Sequence, residues 1–316
     1  MTAADRFERW LLAPASATRL AALRIAVGAY ALVWLAAVTP ELLGLADLDP
    51  ARFEPVGGVA WLRLPAPSSA GMVLLLLATG AAGVASTAGW RYRSSAPLFA
   101  VGLLVVTSYQ NSWGKLLHTE NLLVLHVAVL AASPAADALA RHARGHRPTG
   151  PAYGWPVRVM ALATTCSYLA AGITKLRVAG LDWVDPENLR NWVAYDLVRK
   201  ELFGDPYLPV AVPALEHTWV FLVPVLFTLA VELGAPLALL HRRVAVAWAA
   251  AAWSLHAAIL LAMSVAFPYH LTGIPLVAVV LAARPARGDR PRALLREAES
   301  PLSLPDHRRT VEAMKS

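Results

Sequence analysis

Eight runs of apolar residues divide the chain, near residues 18–39, 70–89, 95–112, 120–136, 155–176, 217–240, 243–264 and 268–283. Most approach the roughly 20 residues that carry a helix across a bilayer's hydrocarbon core. The fourth and eighth are short, so each is expected to be tilted, re-entrant or half-buried in a bundle. Two longer connections, 40–68 and 177–216, hold Pro, Trp and acidic residues, and 186–200 reads as a helix lying in the interface plane. The pattern predicts an all-α fold, a polytopic membrane helix bundle of about eight transmembrane helices forming one domain over 1–285. A polar, basic tail follows over 286–316. The first 16 residues are too polar for the apolar core of a signal peptide, so the first run is expected to remain as an anchor. No repeat of solenoid type is visible.

Composition agrees with the pattern. Of 316 residues, 57% are hydrophobic and 16% charged, against about 25% charged in soluble domains. A net charge of +7 raises the question of nucleic acid. Placement answers it, because the basic residues sit mainly in short connections and the tail, as the positive-inside rule requires. Nineteen of the 28 lysines and arginines fall on the side of the N-terminus and tail, eight on the other side, and Arg24 lies inside the first run. The expected partner is therefore the lipid bilayer, with no nucleic acid, and the expected location the cell membrane, multi-pass, with both termini cytoplasmic. The single Cys166 excludes an internal disulfide and reads as a small, packed mid-helix residue. Most of the eleven tryptophans fall near span ends, as an aromatic belt does.

Candidate chemistry gathers on the non-cytoplasmic side. The run Tyr168-Leu169-Ala170-Ala171-Gly172-Ile173-Thr174-Lys175-Leu176 ends on Lys175, one of four lysines among 24 arginines. Burial removes a lysine's charge more readily than an arginine's, so Lys175 can serve as a base; the plain alternative is a lysine snorkelling to the interface. His118, opening the fourth run, and Tyr269 and His270, opening the eighth, lie on the same side, with His256 two to three turns below. A histidine there suits proton transfer or a substrate hydroxyl, or is a hydrogen-bonded core residue. Arg24 and Glu232, both inside apolar runs, either pair as a structural clamp or orient a polar headgroup. Trp113 and Trp183 flank the polar cluster and can stack on a flat ring. His118, Glu120, His256 and His270 lack any HExxH spacing, and no metal is expected. No glycine-rich phosphate loop or GxSxG elbow is present.

Taken in order, several short motifs resemble the membrane domain of vitamin K-dependent gamma-glutamyl carboxylase, within the HTTM (horizontally transferred transmembrane domain) family. They are Leu20 to Gly28, Arg52-Phe53, Gly89-Trp90-Arg91-Tyr92-Arg93, Ser112-Trp113 with His118, Tyr168 to Leu176 with Asp182-Trp183, and His256 with Phe267-Pro268-Tyr269. The resemblance covers about residues 10–285. It implies that Lys175 is the base toward a reduced vitamin K or menaquinol-type hydroquinone and that His118 is an active-site histidine. It further implies oxygen-dependent epoxidation coupled to proton abstraction and carboxylation. His256, Trp113, Arg24, Tyr269 and Trp183 are the expected lining of the ring site. The carboxylase's lysine pair is Thr174-Lys175 here, leaving one amine, and the large non-cytoplasmic domain that follows the carboxylase spans has no counterpart in this sequence. Two readings remain beside a quinol enzyme: a non-catalytic quinone- or lipid-binding module serving a redox protein, and a transporter or scaffold.

Overall fold

The computed structural model describes residues 2–114, 116, 118–140, 143 and 148–283. Lys115 and the basic tail fall outside them. In chain order the helices are α1 (Ala3–Leu11), α2 (Ala17–Ala46), α3 (Gly57–Trp61), α4 (Ser69–Ala88), α5 (Tyr92–Gln110) and α6 (Asn121–Ala131). They continue as α7 (Pro151–Ala179), α8 (Pro186–Phe203), α9 (Leu222–Leu233), α10 (Arg242–Met263), α11 (Pro268–Leu271) and α12 (Ile274–Ala282). The described residues are all-α apart from a two-residue ladder, β1 (Ala15–Ser16) antiparallel to β2 (Thr149–Gly150). Among the described residues four helical segments are long and apolar enough to cross a membrane: Ala17–Ala46, Ser69–Ala88, Pro151–Val184 and Arg242–Met263. Helix α5 is of similar length, but Arg93–Ser95 and Thr107–Gln110 make its two ends polar.

Two of the expected spans are broken, and local chemistry says why. The 217–240 run forms α9 flanked by 3₁₀ turns at Thr218–Phe221 and Ala235–Leu239. Pro236 offers no N–H to continue the ladder, so the α-helix stops before it. The 268–283 run splits into α11 and α12 at Gly273, whose φ of +74° is a left-handed conformation that glycine tolerates at no steric cost. The stretch expected to lie in the interface plane forms a helix, α8, capped by Asp185 at its start and by left-handed Gly204 at its end.

Helices α2, α4 and α5 form one half of the core and α7, α10 and α12 the other, with α6 between α5 and α7. The core is continuous through Leu20, Val27, Phe99, Leu103, Leu123, Met160 and Val279, all buried. The short ladder joins the starts of α2 and α7, so both helices rise from the same end of the bundle. Cys166 is exposed on the outside of α7, correcting its expected place in the core. Helix α7 turns the opposite face inward, with Thr164, Thr165 and Tyr168 buried, and Cys166 lies off that face.

Candidate functional site

At the far end of α7 a part-enclosed cavity of about 320 Å³ opens between α6, α7, α9, α10 and α11. That is a volume of the order that holds a small organic ligand. Its polar wall is Lys175, Glu232, Tyr168, His256, His270 and His118, set among Leu122, Ile259 and Phe267. Seven residues separate Tyr168 from Lys175, which puts both on one face of α7 with about 10 Å of rise between them. Ala171 lines the cavity between these levels, and its small side chain leaves the wall open.

At the upper level Lys175 Nζ donates to Glu232 Oε1 at 2.5 Å. The ammonium also sits 5.3 Å from the centroid of the Trp183 ring. A carboxylate and an aromatic face are the two neighbours an ammonium seeks. Glu232 is buried, and its Oε2 has no hydrogen-bond partner. Gly172 sits under the pair. A Cβ there would stand 2.9 Å from Leu233 Cδ2 and 3.0 Å from Glu232 Cβ, so a larger side chain would press Leu233 aside and crowd Glu232.

At the lower level the Tyr168 hydroxyl and His256 Nε2 are 2.7 Å apart. The His256 and His270 rings lie 4.4 Å apart at a tilt of 36°, with Phe267 4.9 Å from His256 on the same wall. Nδ1 of His256 and Nδ1 of His270 are both buried and unpartnered. Three lining residues thus carry polar atoms with nothing to bind, and buried polar groups are rarely left so. A ligand with its own donors and acceptors would complete them.

Other expected residues are placed elsewhere. His118 is exposed at the cavity's rim beside Phe267. Tyr269 is buried in the core, its hydroxyl 2.7 Å from His126 Nδ1 and its ring 5.0 Å from Tyr30. His126 Nε2 faces the Met160 carbonyl at 3.1 Å, so Nε2 carries the proton and Nδ1 accepts from Tyr269. Trp113 packs against Phe53 at 5.2 Å and does not line the cavity. Among the described residues no three His, Cys, Asp or Glu side chains gather as metal ligands do.

Arg24 is the largest correction. It does not pair with Glu232 but donates to the carbonyl oxygens of Ala135, Ala138 and Leu139, at 2.6, 3.3 and 2.7 Å. Position explains this. From the level start of α2 and α7, Arg24 stands seven residues up and Lys175 twenty-four, roughly 10 and 36 Å at 1.5 Å per residue. Arg24 therefore ties the turn after α6 to the opposite end of the bundle, too far to influence Lys175.

Tyr168, Glu232, His270 and Phe267 line the cavity although the expected lining of the ring site did not include them. Two signals pointed to them: the seven-residue spacing of Tyr168 and Lys175, and the need of any charge within an apolar run for a partner. What the fold and site define is a membrane helix bundle enclosing a polar-lined cavity at one end. The chain belongs to the HTTM domain family, whose model matches residues 12–280. No curated protein and no solved structure matches it.

Proposed function

We propose that this membrane protein binds a quinol or similar lipidic ring in the cavity, with Lys175 and His118 as the residues of proton chemistry toward a hydroquinone. Reaction of the ionised ring with molecular oxygen, as in epoxidation or coupled proton abstraction and carboxylation, is the activity this reading assigns. The observation that carries it is the Lys175–Glu232 pair on the wall of a cavity that Tyr168, His256 and His270 also line, with Glu232 Oε2, His256 Nδ1 and His270 Nδ1 buried and unpartnered in that wall. The levels of Lys175 and Tyr168 suit a flat ring with oxygens on opposite edges, and Ile259, Leu122 and Phe267 supply its apolar walls. Trp183 acts through Lys175. In this reading eight segments enter the membrane, with both termini in the cytoplasm and the cavity toward the opposite side, as the arginine and lysine distribution requires.

The test is hydroquinone- and oxygen-dependent epoxide formation by the purified protein over a panel of menaquinols, with Lys175→Ala as the inactive control. No turnover by the wild-type protein would overturn the catalytic reading. Retained quinone binding without turnover would favour a binding module that serves a separate redox protein, for which this chain, with one cysteine, has no disulfide chemistry of its own.

A further inference from the structure

A second cavity, of about 360 Å³, lies between α1, α7 and the 3₁₀ turn Ala235–Leu239. Leu162, which lines it, stands thirteen residues before Lys175 on α7, about 20 Å of helix rise from the ring site. Phe7 and Trp10 of α1, Leu162, and Pro236 and Leu239 of the turn form apolar walls, and Arg6 is the one charged residue that lines the space. Trp10 spends its only donor on the Ala282 carbonyl at 3.3 Å, so it offers the cavity a ring and no free N–H. Among the described residues Arg6 enters no ion pair. Arg242 and Arg243, exposed at the start of α10, follow Leu240, which borders the same cavity. Helix α1 itself calls for a partner. It is nine residues long with no buried residue, and helices so short are marginal on their own. Ala3, Phe7, Trp10 and Leu11 share one face, with Phe7 51% exposed. The acids of α1 do not answer Arg6: Asp5 is held in the capping box with Thr2, and Glu8 points to the opposite side of the helix, about 200° around.

We infer that this cavity seats one anionic phospholipid, its acyl chain lying between α1, α7 and the 3₁₀ turn and its phosphate meeting Arg6. Arg242 and Arg243 add to the positive field at the same rim. The chemistry selects this occupant. An apolar slot in the flank of a membrane bundle takes an acyl chain, and a guanidinium at its rim donates paired N–H groups to a phosphate. A short amphipathic helix with arginine beside its apolar face is the form that lies at the boundary of headgroups and chains. A zwitterionic lipid brings its own cation beside the phosphate and gains less from Arg6. The chain's own tail over 286–316 is basic, so it does not supply the anion. From the proposed function the inference takes only that this end of the bundle faces the cytoplasm, where anionic lipids make the leaflet negative. It needs no ring chemistry.

The full chain, stripped of lipid in detergent, is titrated with phosphatidylglycerol and with phosphatidylcholine of the same acyl chains, and bound lipid is counted by native mass spectrometry. Wild-type protein is expected to hold one phosphatidylglycerol about fivefold more tightly than phosphatidylcholine, the scale of a single arginine beside an anionic headgroup. Arg6→Gln erases that preference, and Leu162→Trp, which fills the slot, weakens both lipids. Arg19→Gln, at an exposed position of α2 that does not line the cavity, changes neither. Equal affinity of the wild type for the two lipids overturns the inference. So does a loss in Arg19→Gln as large as that in Arg6→Gln, which reports basic charge in general. Glycerol 3-phosphate competing as well as intact phosphatidylglycerol shows a phosphate site with no acyl seat and overturns it too. A phosphatidylglycerol carrying a diazirine on its acyl chain tests the seat without any variant. Labelling of residues 7–11 or 236–240 in the wild type upholds it, and labelling confined to other segments overturns it. None of these outcomes depends on whether menaquinol is turned over.

Discussion

Glu232 Oε1 lies 2.5 Å from Lys175 Nζ, and this contact crosses from α9 to α7 beside Gly172, where the two helices pack closely. Its partners differ in exposure, the lysine side chain at 23% and the glutamate at 8%. Removing the lysine therefore strands the more deeply buried charge. Lys175→Met is expected to destabilise the protein by about 3 kcal/mol, the cost of an uncompensated buried carboxylate. Adding Glu232→Leu to it should recover most of that loss. Thermal unfolding in detergent of the two single variants and the double variant measures the coupling; additive losses would mean that the pair does not form.

Gly172 sets the approach of α7 and α9. Gly172→Val is expected to push α9 outward, at about 1–3 kcal/mol of overpacking strain, and to weaken ring binding more than Gly172→Ala. Quinone titrations of both variants test this, and equal affinities across the series would rule out a positioning role.

Tyr168 and His256 share one hydrogen bond. Tyr168→Phe removes it while keeping the ring, leaving His256 Nε2 unpaired at a cost of about 1–2 kcal/mol. If this pair meets the far edge of the ligand, Tyr168→Phe lowers ring affinity about tenfold while Cys166→Ala, on the outer surface of the same helix, leaves it unchanged. Equilibrium binding of a fluorescent quinone distinguishes the two.

Arg24 belongs to the fold rather than the site. Its guanidinium holds three carbonyl oxygens, and hydrogen bonds to charged groups contribute about 1.5–3 kcal/mol each. Arg24→Met should lower the melting temperature sharply, yet folded protein should bind the ring with wild-type affinity. A loss of affinity with unchanged stability would reverse this assignment.

Orientation is testable with the single native cysteine removed. In a Cys166→Ala background, Leu181→Cys places a thiol on a residue 82% exposed, in the connection after α7. A membrane-impermeant maleimide added outside intact cells should label it. Labelling only after the cells are opened would invert the topology.

Much of this fold was legible because each apolar run declares itself locally. The 18–39, 70–89, 155–176 and 243–264 runs all became long helices, and the polar stretch 186–200 became a separate one. The breaks inside the sixth and eighth runs were also written in local chemistry, at Pro236 and Gly273, though hydropathy alone passes over them. In the site, Lys175, His118 and His256 do converge, and Trp183 covers the lysine. Trp113 and Tyr269 were drawn in by proximity in sequence, and packing sent their rings to Phe53 and to His126 and Tyr30.

Lys175 could be recognised from the sequence alone as a cation needing an explanation, because an apolar run and a charge are both local facts. Which charge answers it was not local. Arg24, Glu232 and Lys175 sit on three different helices, and only the level at which those helices stand decides who meets whom. The ladder at Ala15–Ser16 and Thr149–Gly150 fixes that level, leaving Arg24 about 25 Å of helix rise short of Lys175. Helix α9, packed on α7 beside Gly172, then brings Glu232 within reach. Composition and periodicity determined that the chain is a membrane bundle with an isolated lysine; helix register, which depends on contacts far apart in sequence, determined that the lysine shares its site with a buried carboxylate.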